Sequence, residues 1–255
     1  MTKRTRSQKP TKLLTVVLAA TAALAVAPAV APGAAGAAAA GEYDPVIRPA
    51  DFGGPIDNPY LPLLPGTRSV YAETGPDGTQ QIVVEVTPVT KQILGITCVV
   101  VRDTATLDGV VVEDTADWYA QDRHGNVWYF GEATTEYEDG QPASTLGSWE
   151  AGVDGAKPGI VMLAKPSVGR GYRPEFLRGV AEDRARVLQV DATAAVPTGR
   201  YDRVVRTRDV TPLDRKHVEE KYYARGIGSV LEVLVKGGTE RAELVEFTAP
   251  PATQP

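Results

Sequence analysis

From Thr67 onward the chain is cut at short intervals by residues that close tight turns. Asp108-Gly109 and Gly237-Gly238 are two-residue hairpin signals, and Asp139-Gly140 closes another turn. Gly75-Pro76-Asp77-Gly78, Arg123 to Asn126, Val196 to Gly199 and Ala224 to Gly228 supply further turn chemistry. The runs between these breaks alternate apolar and polar residues or are β-branched, as in Ile82-Val83-Val84. Thr79 to Thr90 reads as one strand. Lys91 to Leu107 reads as the next, with Gly95 as a bulge. No stretch of ten residues after the first forty reads as helix. About ten strands joined mostly by tight turns predict an all-β chain. We expect a single antiparallel meander that curls into a barrel or a strongly curved half-barrel. No repeat at a fixed period and no linker divides it, so one domain is expected over residues 67–249.

The segments around that domain differ in character. In residues 1–40, Lys3, Arg4, Arg6, Lys9 and Lys12 precede the apolar run Leu13 to Val26, and small residues follow to Ala40. This order predicts a cleaved secretory signal peptide. The apolar run is shorter than the ~20 residues of a membrane span. Residues 41–66 are rich in Pro and Gly and predict an extended N-terminal strap, or a lid over a cavity mouth. Residues 141–180 read as a long irregular insertion, and residues 250–255 as a flexible tail. Loops as long as the insertion are commonly functional.

Charge narrows the partners. Removing residues 1–40 takes away five cations and no acids, which moves the formal charge from −5 to −10. Nucleic acid and anionic membrane surfaces are disfavoured as partners, because phosphate neutralisation needs a basic surface. A cation, a sugar-like molecule or an apolar ligand is compatible. Cys98 is the single cysteine and lies in an apolar run, so it reads as a small buried hydrophobe with no bridge to make.

The richest segment is Glu113 to Tyr137, with Trp118, Tyr119, Trp128, Tyr129, Phe130 and Tyr137 interleaved with acids. In an extended chain Trp118, Ala120 and Asp122 share one face, and Trp128, Phe130 and Glu132 share another. We expect Trp118, Tyr119, Asp122, Trp128 and Phe130 to form a ligand-binding face. The insertion should fold back over it and add Trp149 and Tyr172. Carboxylate pairs suit general acid–base work, and Glu132, Glu150 and Glu182 are the catalytic candidates. The two histidines, His124 and His217, are scattered and read as surface residues. With one cysteine they make a zinc site improbable. No nucleophile elbow and no phosphate-binding glycine loop is present. No cofactor is predicted. Calcium stays open through Asp122, Asn126, Asp139 and Asp154, which sit in or near turns.

A resemblance adds to this reading. Ala195-Val196-Pro197-Thr198-Gly199-Arg200-Tyr201-Asp202 and Lys221-Tyr222-Tyr223-Ala224-Arg225-Gly226-Ile227-Gly228-Ser229-Val230 resemble a pattern in exported bacterial half-barrel proteins. The pattern is similar to the TapB-like group, whose architecture is like the lipoprotein-carrier half-barrel. Trp118-Tyr119 and Gly125 to Glu132 resemble segments of uncharacterised bacterial secreted proteins. The resemblance implies fold and export, and it implies no catalytic residue.

Three functions remain open from the sequence. The first is a secreted protein that binds a sugar-like or apolar small molecule in a cavity or on a concave face. The second is an extracellular glycoside or ester hydrolase built on a carboxylate pair. The third is a structural cell-surface protein without a ligand.

Overall fold

The computed structural model describes residues 43–76 and 78–250. The signal peptide expected at residues 1–40 and all of the tail except Pro250 lie outside the described residues, as does Asp77 of the first turn. The described chain is one antiparallel sheet of fifteen strands and a single 3-10 turn, Pro49–Asp51. The strands are β1 Arg68–Gly75, β2 Gly78–Ile93, β3 Ile96–Leu107, β4 Val110–Gln121 and β5 Val127–Glu138. Short strands follow: β6 Gln141–Ser144, β7 Trp149–Glu150, β8 Lys157–Met162, β9 Gly171–Tyr172 and β10 Glu175–Phe176. The last five are β11 Arg184–Val196, β12 Gly199–Val210, β13 Val218–Ala224, β14 Gly228–Lys236 and β15 Arg241–Thr248.

The turns follow their local chemistry. Asp108 and Gly109 both adopt positive φ, 52° and 80°, as a mirror-image hairpin turn requires. Asp139 and Gly140 do the same at 51° and 73°. Leu94 and Gly95 form another such turn, at 51° and 76°. The boundary expected at Thr90 is therefore displaced. Gly78–Ile93 is one strand, and Gly95 ends a hairpin instead of bulging a strand. A leucine at the first turn position hid this signal, because asparagine or aspartate normally marks it.

The strand order is β10-β8-β5-β4-β3-β2-β1-β15-β14-β13-β12-β11-β9, with β6 and β7 also paired to β5. The two ends of this path, β9 and β10, are consecutive in sequence and separated only by Arg173 and Pro174. Three Cα steps span at most about 11 Å. The curved sheet thus brings its edges back together without a hydrogen-bonded ladder between them. Side chains pack on the β8–β10 side of this connection. Arg173 lies 5.1 Å from the Tyr43 ring and 4.8 Å from the Phe176 ring, and the Tyr43 hydroxyl donates to the Pro158 carbonyl at 3.0 Å. The insertion is more regular than its composition suggested, since five of the short strands lie in it.

The N-terminal segment is fixed to the sheet. Ile56, Leu61 and Leu63 are buried in the core. Asn58 is buried and uses every polar atom of its side chain. Its Nδ2 donates to the carbonyls of Gly125 at 2.8 Å and Leu163 at 3.2 Å, and its Oδ1 accepts from the amides of Tyr60 and Leu61. One side chain therefore ties the segment to the β4–β5 turn and to the insertion. Cys98 is buried, and burial pushes its thiol up to about 12.

Candidate functional site

The inner face of the curve is polar. Along β3 the side chains of Val101, Asp103 and Ala105 share this face. Opposite them on β4 stand Asp117, Thr115 and Glu113. Thr115 in turn faces Thr134 of β5, and Asp117 faces Glu132. On the far side of the curve Lys221 of β13 sits between Thr207 of β12 and Glu232 of β14, and Glu219 faces Asp209. Asp103, Glu113, Asp117, Glu132, Lys221 and Glu232 are all buried.

A bulge aims Glu132 inward. Between Asp117 and Tyr119 the register slips, so that Asp117 pairs with Glu132 while Tyr119 pairs with Tyr129. Two steps on β4 match three on β5, and the extra residue lies at Phe130-Gly131. Gly131 takes φ 131°, and a Cβ there would lie 2.2 Å from the Trp149 carbonyl oxygen. The bulge overturns the strict alternation expected for this strand. Glu132 faces inward with Tyr129, whereas Trp128 and Phe130 face outward against Phe52, at ring distances of 6.3 and 5.6 Å.

The structure therefore divides the residues expected to act together. Tyr119, Trp149, Tyr172 and Glu132 lie on the inner side. Tyr119 stacks on Tyr129 at 4.8 Å, and Trp149 meets Tyr129 edge-on at 5.3 Å. The insertion thus folds back onto the aromatic hairpin, with Trp149 against Tyr129 and not against Trp118 or Trp128. The Tyr172 hydroxyl is buried beside Asp209 and Thr207. Trp118, Trp128 and Phe130 lie on the outer side. Glu150 follows Trp149 and so points the other way, to Lys91 at 2.7 Å, and Lys91 in turn sits 3.3 Å above the Trp118 ring. Glu182 accepts from the Gly179 amide at 2.8 Å in a loop. Glu132, Glu150 and Glu182 are not brought to one place.

Asp122 has a structural task. Its Oδ1 accepts from the amides of His124 and Asn126, and its Oδ2 from Asn126 Nδ2 and Trp128 Nε1, all within 2.9 Å. A shallow cleft of about 560 Å³ lies beside it, lined by Asp51, Phe52, Asp57, Arg123 and His124. Its charged groups are engaged as well, Arg123 with Asp51 at 3.3 Å and Asp57 with Gln121 at 2.6 Å. Asp139 and Asp154 occupy separate turns. Among the described residues no three His, Cys, Asp or Glu side chains converge in a way that could hold a metal ion. His217 is half-buried and meets Glu219 at 2.8 Å, so it belongs to the polar interior and not to the surface.

Burial dominates the electrostatics of the inner face. It pushes Asp117 up to about 7, against the hydrogen bond from the Tyr129 hydroxyl at 2.5 Å and with help from Glu113. Burial and then Asp117, Glu113, Glu232 and Glu132 hold Asp103 well above the ordinary carboxyl range. Glu175 is raised well above its usual value by burial, then by Asp183 and Glu132. Burial also raises Asp183 to about 8, Glu232 to about 7 and Glu73 to about 9. Burial works against the charge of Lys221, but Glu232, Glu219, Asp209 and Asp183 outweigh it. Neutral donors complete part of the network. Thr134 donates to Glu132 at 3.1 Å, Thr115 and Thr134 meet at 2.9 Å, and Gln80 donates to Glu73 at 2.9 Å.

Several buried polar atoms on this face have no partner within the protein. They are Asp103 Oδ1, the Tyr119 hydroxyl and Glu73 Oε2, while Trp149 stands beside the buried Glu175 carboxyl and holds it by a side-chain hydrogen bond. A buried polar group without a hydrogen bond costs about 1–3 kcal/mol, so such groups normally meet water or a ligand. Asp103, Glu113, Asp117 and Lys221 were not singled out from the sequence. Their signal was a period of two, as in Glu113-x-Thr115-x-Asp117-x-Tyr119 and Glu219-x-Lys221-x-Tyr223, which places polar residues on the face that is normally apolar.

No family model matches the chain, and no curated protein matches it. Among solved structures the chain is similar to a candidate lipoprotein from Parabacteroides distasonis ATCC 8503, with a TM-score of 0.40 and 10% identity over 74% of this chain and 98% of that one. No residue role is carried over from that protein.

Proposed function

We propose that the protein is an exported binding protein whose curved sheet encloses a polar small molecule on its inner face. The observation that carries this reading is the set of unpartnered buried polar atoms on Asp103, Tyr119 and Glu73. Donors and acceptors are both present there, and the Tyr119, Tyr129 and Trp149 rings supply flat contact area. The export half of the proposal rests on the basic and apolar order of residues 1–40 and on the resemblance to TapB-like proteins.

The chain has three tryptophans. Replacing Trp118 and Trp128 by Phe leaves Trp149 as the reporter of the inner face. Its emission should shift with at least one class in a panel of polyols, sugars and organic ions, and Tyr119→Phe should weaken that response at least fivefold. A panel that leaves Trp149 unmoved, or a response indifferent to Tyr119→Phe, would remove the site from the interior. One observation favours a second reading. Asp117 and Glu132 stand directly opposite on neighbouring strands, and a carboxyl held near 7 suits general acid–base chemistry. Turnover of a glycoside or ester that disappears in Glu132→Gln would establish that reading.

A further inference from the structure

We propose that the outer face of β9, β11 and β12 is a docking surface for a linear acidic polysaccharide, whose carboxylates are held by Arg173, Arg184 and Arg186. The surface lies outside the curve and is independent of the inner-face reading.

Strand alternation builds this surface. On β11 Ala185 and Val187 are buried, so Arg184 and Arg186 point outward and are exposed. On β12 Thr207 is buried opposite Lys221, so Arg206 and Arg208 point outward. Tyr172 points inward to Asp209, which turns Gly171 and Arg173 outward. The ladders pair Arg186 with Arg208 on one side and with Gly171 on the other, and Ala185 with Tyr172. One step beyond that last pair Arg184 comes opposite Arg173, where each cation works against the other. Two pairs of arginines therefore face one another across neighbouring strands, an arrangement that costs stability in the protein alone.

The same face shows what arginines at this spacing hold. Arg206 and Arg208, two residues apart on β12, grip the carboxylate of Glu220 on β13. Arg206 Nε donates to its Oε2 at 2.8 Å and Arg208 Nη2 to its Oε1 at 2.6 Å. Arg184 and Arg186 are also two residues apart and on the same face of the adjoining strand. Opposite them stand Val210, Arg208 and Gly171, none of which offers a carboxylate. Among the described residues neither of them, nor Arg173, forms an ion pair. The Arg173 guanidinium stacks on the Tyr43 and Phe176 rings, and its Nη1 has no hydrogen-bond partner. Glu182 is the acid that acts on Arg173, and its Oε1 accepts from the Gly179 amide at 2.8 Å.

The formal charge of −10 after residue 40 does not forbid an anionic partner here. Charges more than about 10 Å away are largely screened at 0.1 M salt, so a polymer on this face meets the arginines first. Guanidinium forks match carboxylates in a bidentate way. Forks repeated along a strand suit a polymer with repeated carboxylates better than a single small anion. A peptide would gain most by adding a strand, and β9 at this edge is only two residues long. A glycan needs only the forks.

Titration calorimetry of the mature protein tests the assignment, with polygalacturonate as the acidic glycan and dextran as its neutral counterpart. Poly-glutamate and phosphatidylglycerol vesicles are run beside them. Polygalacturonate should bind and dextran should not, and the affinity should fall about tenfold between 50 and 200 mM salt. Arg184→Gln and Arg186→Gln, both on exposed side chains, should each weaken binding about fivefold without moving the melting temperature. Arg186→Lys should weaken it as well, because it keeps the charge and loses the fork. Arg200→Gln removes the same charge from the far end of the β11–β12 hairpin, where Arg200 pairs with Asp202, and should leave binding unchanged. An equal loss in Arg200→Gln would reduce the effect to net charge and overturn the site. Binding that survives the Arg184→Gln/Arg186→Gln double variant would overturn its location, and full binding in Arg186→Lys would overturn recognition by the fork. Tighter binding of poly-glutamate or of the vesicles would overturn the polysaccharide as occupant. No binding of any polyanion would overturn the docking surface and leave the inner-face reading untouched.

Discussion

Gly131 gives the sharpest test of how the interior is built. A Cβ at this position would lie 2.2 Å from the Trp149 carbonyl oxygen and 2.9 Å from the Glu150 Cα. Both are backbone atoms of β7, so no side chain can swing away to make room. β7 moves only by breaking its pairing with β5, including the bond from the Ala151 amide to the Phe130 carbonyl at 2.8 Å. Backbone strain at such a φ costs about 1–3 kcal/mol, and each lost hydrogen bond about 0.5–1.5 kcal/mol. Gly131→Ala should therefore destabilise the protein by about 3–5 kcal/mol. For a domain of this size that is a fall in melting temperature of about 10 °C. Gly109→Ala is the control. Gly109 also has positive φ, 80°, but a Cβ there meets nothing within 4 Å. Its cost should be backbone strain alone, about 1–2 kcal/mol. Differential scanning calorimetry reads both, and Trp149 emission in the Gly131 variant should report a wetter indole. A Gly131→Ala variant as stable as Gly109→Ala would refute the bulge argument and, with it, the reason that Glu132 points inward.

Stability should fall as pH rises. Asp117, Asp183, Glu232 and Glu73 have folded-state values near 7, 8, 7 and 9, all above the unfolded range near 4. The folded state holds these protons longer than the unfolded state does. The stability they confer is complete below about pH 4 and is lost as pH passes their folded values, each proton contributing up to about 1.4 kcal/mol per pH unit. His217, raised by its bond to Glu219, acts in the same direction, while Glu219, held low by Lys221 and His217, acts oppositely at acid pH. Thermal melts from pH 5 to pH 9 should fall steadily, and a steady rise would contradict the protonated interior. Lys221→Met should cost about 3–5 kcal/mol at pH 8 by leaving Glu219 and Glu232 uncompensated, and less at pH 5, where Glu232 takes up a proton. Urea unfolding at the two pH values checks this, and equal losses would show that Lys221 is not the counter-charge. Asn58→Ala should cost about 2–3 kcal/mol through its unpaired backbone partners and should raise hydrogen exchange at Tyr60 and Leu61 first.

The fold was legible because turn chemistry is local. Asp108-Gly109 and Asp139-Gly140 each fix a hairpin without help from the rest of the chain. Leu94-Gly95 was not legible, because only its pairing with the flanking strands forces Leu94 to positive φ. The site was legible by location only. Tyr119, Glu132, Trp149 and Tyr172 do lie on the inner face. Trp118 and Trp128 lie on the opposite face by simple alternation with Tyr119 and Tyr129, Asp122 holds the β4–β5 turn and Glu150 alternates with Trp149, while the extra residue at Gly131 moves Glu132 off the face of Trp128 and Phe130. Asp103 and Lys221 escaped notice for a different reason. Burial of a carboxyl is a property of the closed curve, and nothing in the residues adjacent to Asp103 announces that Asp117 and Glu113 will face it.

The central claim is that polar atoms on the inner face are unpartnered because they wait for something other than protein. High-resolution diffraction from the mature protein tests it directly. The account predicts electron density from water or a ligand within hydrogen-bond distance of Asp103 Oδ1, the Tyr119 hydroxyl and Glu73 Oε2. It would be contradicted by a dry interior in which Asp103 and the Tyr119 hydroxyl bond directly to neighbouring side chains and nothing lies between them.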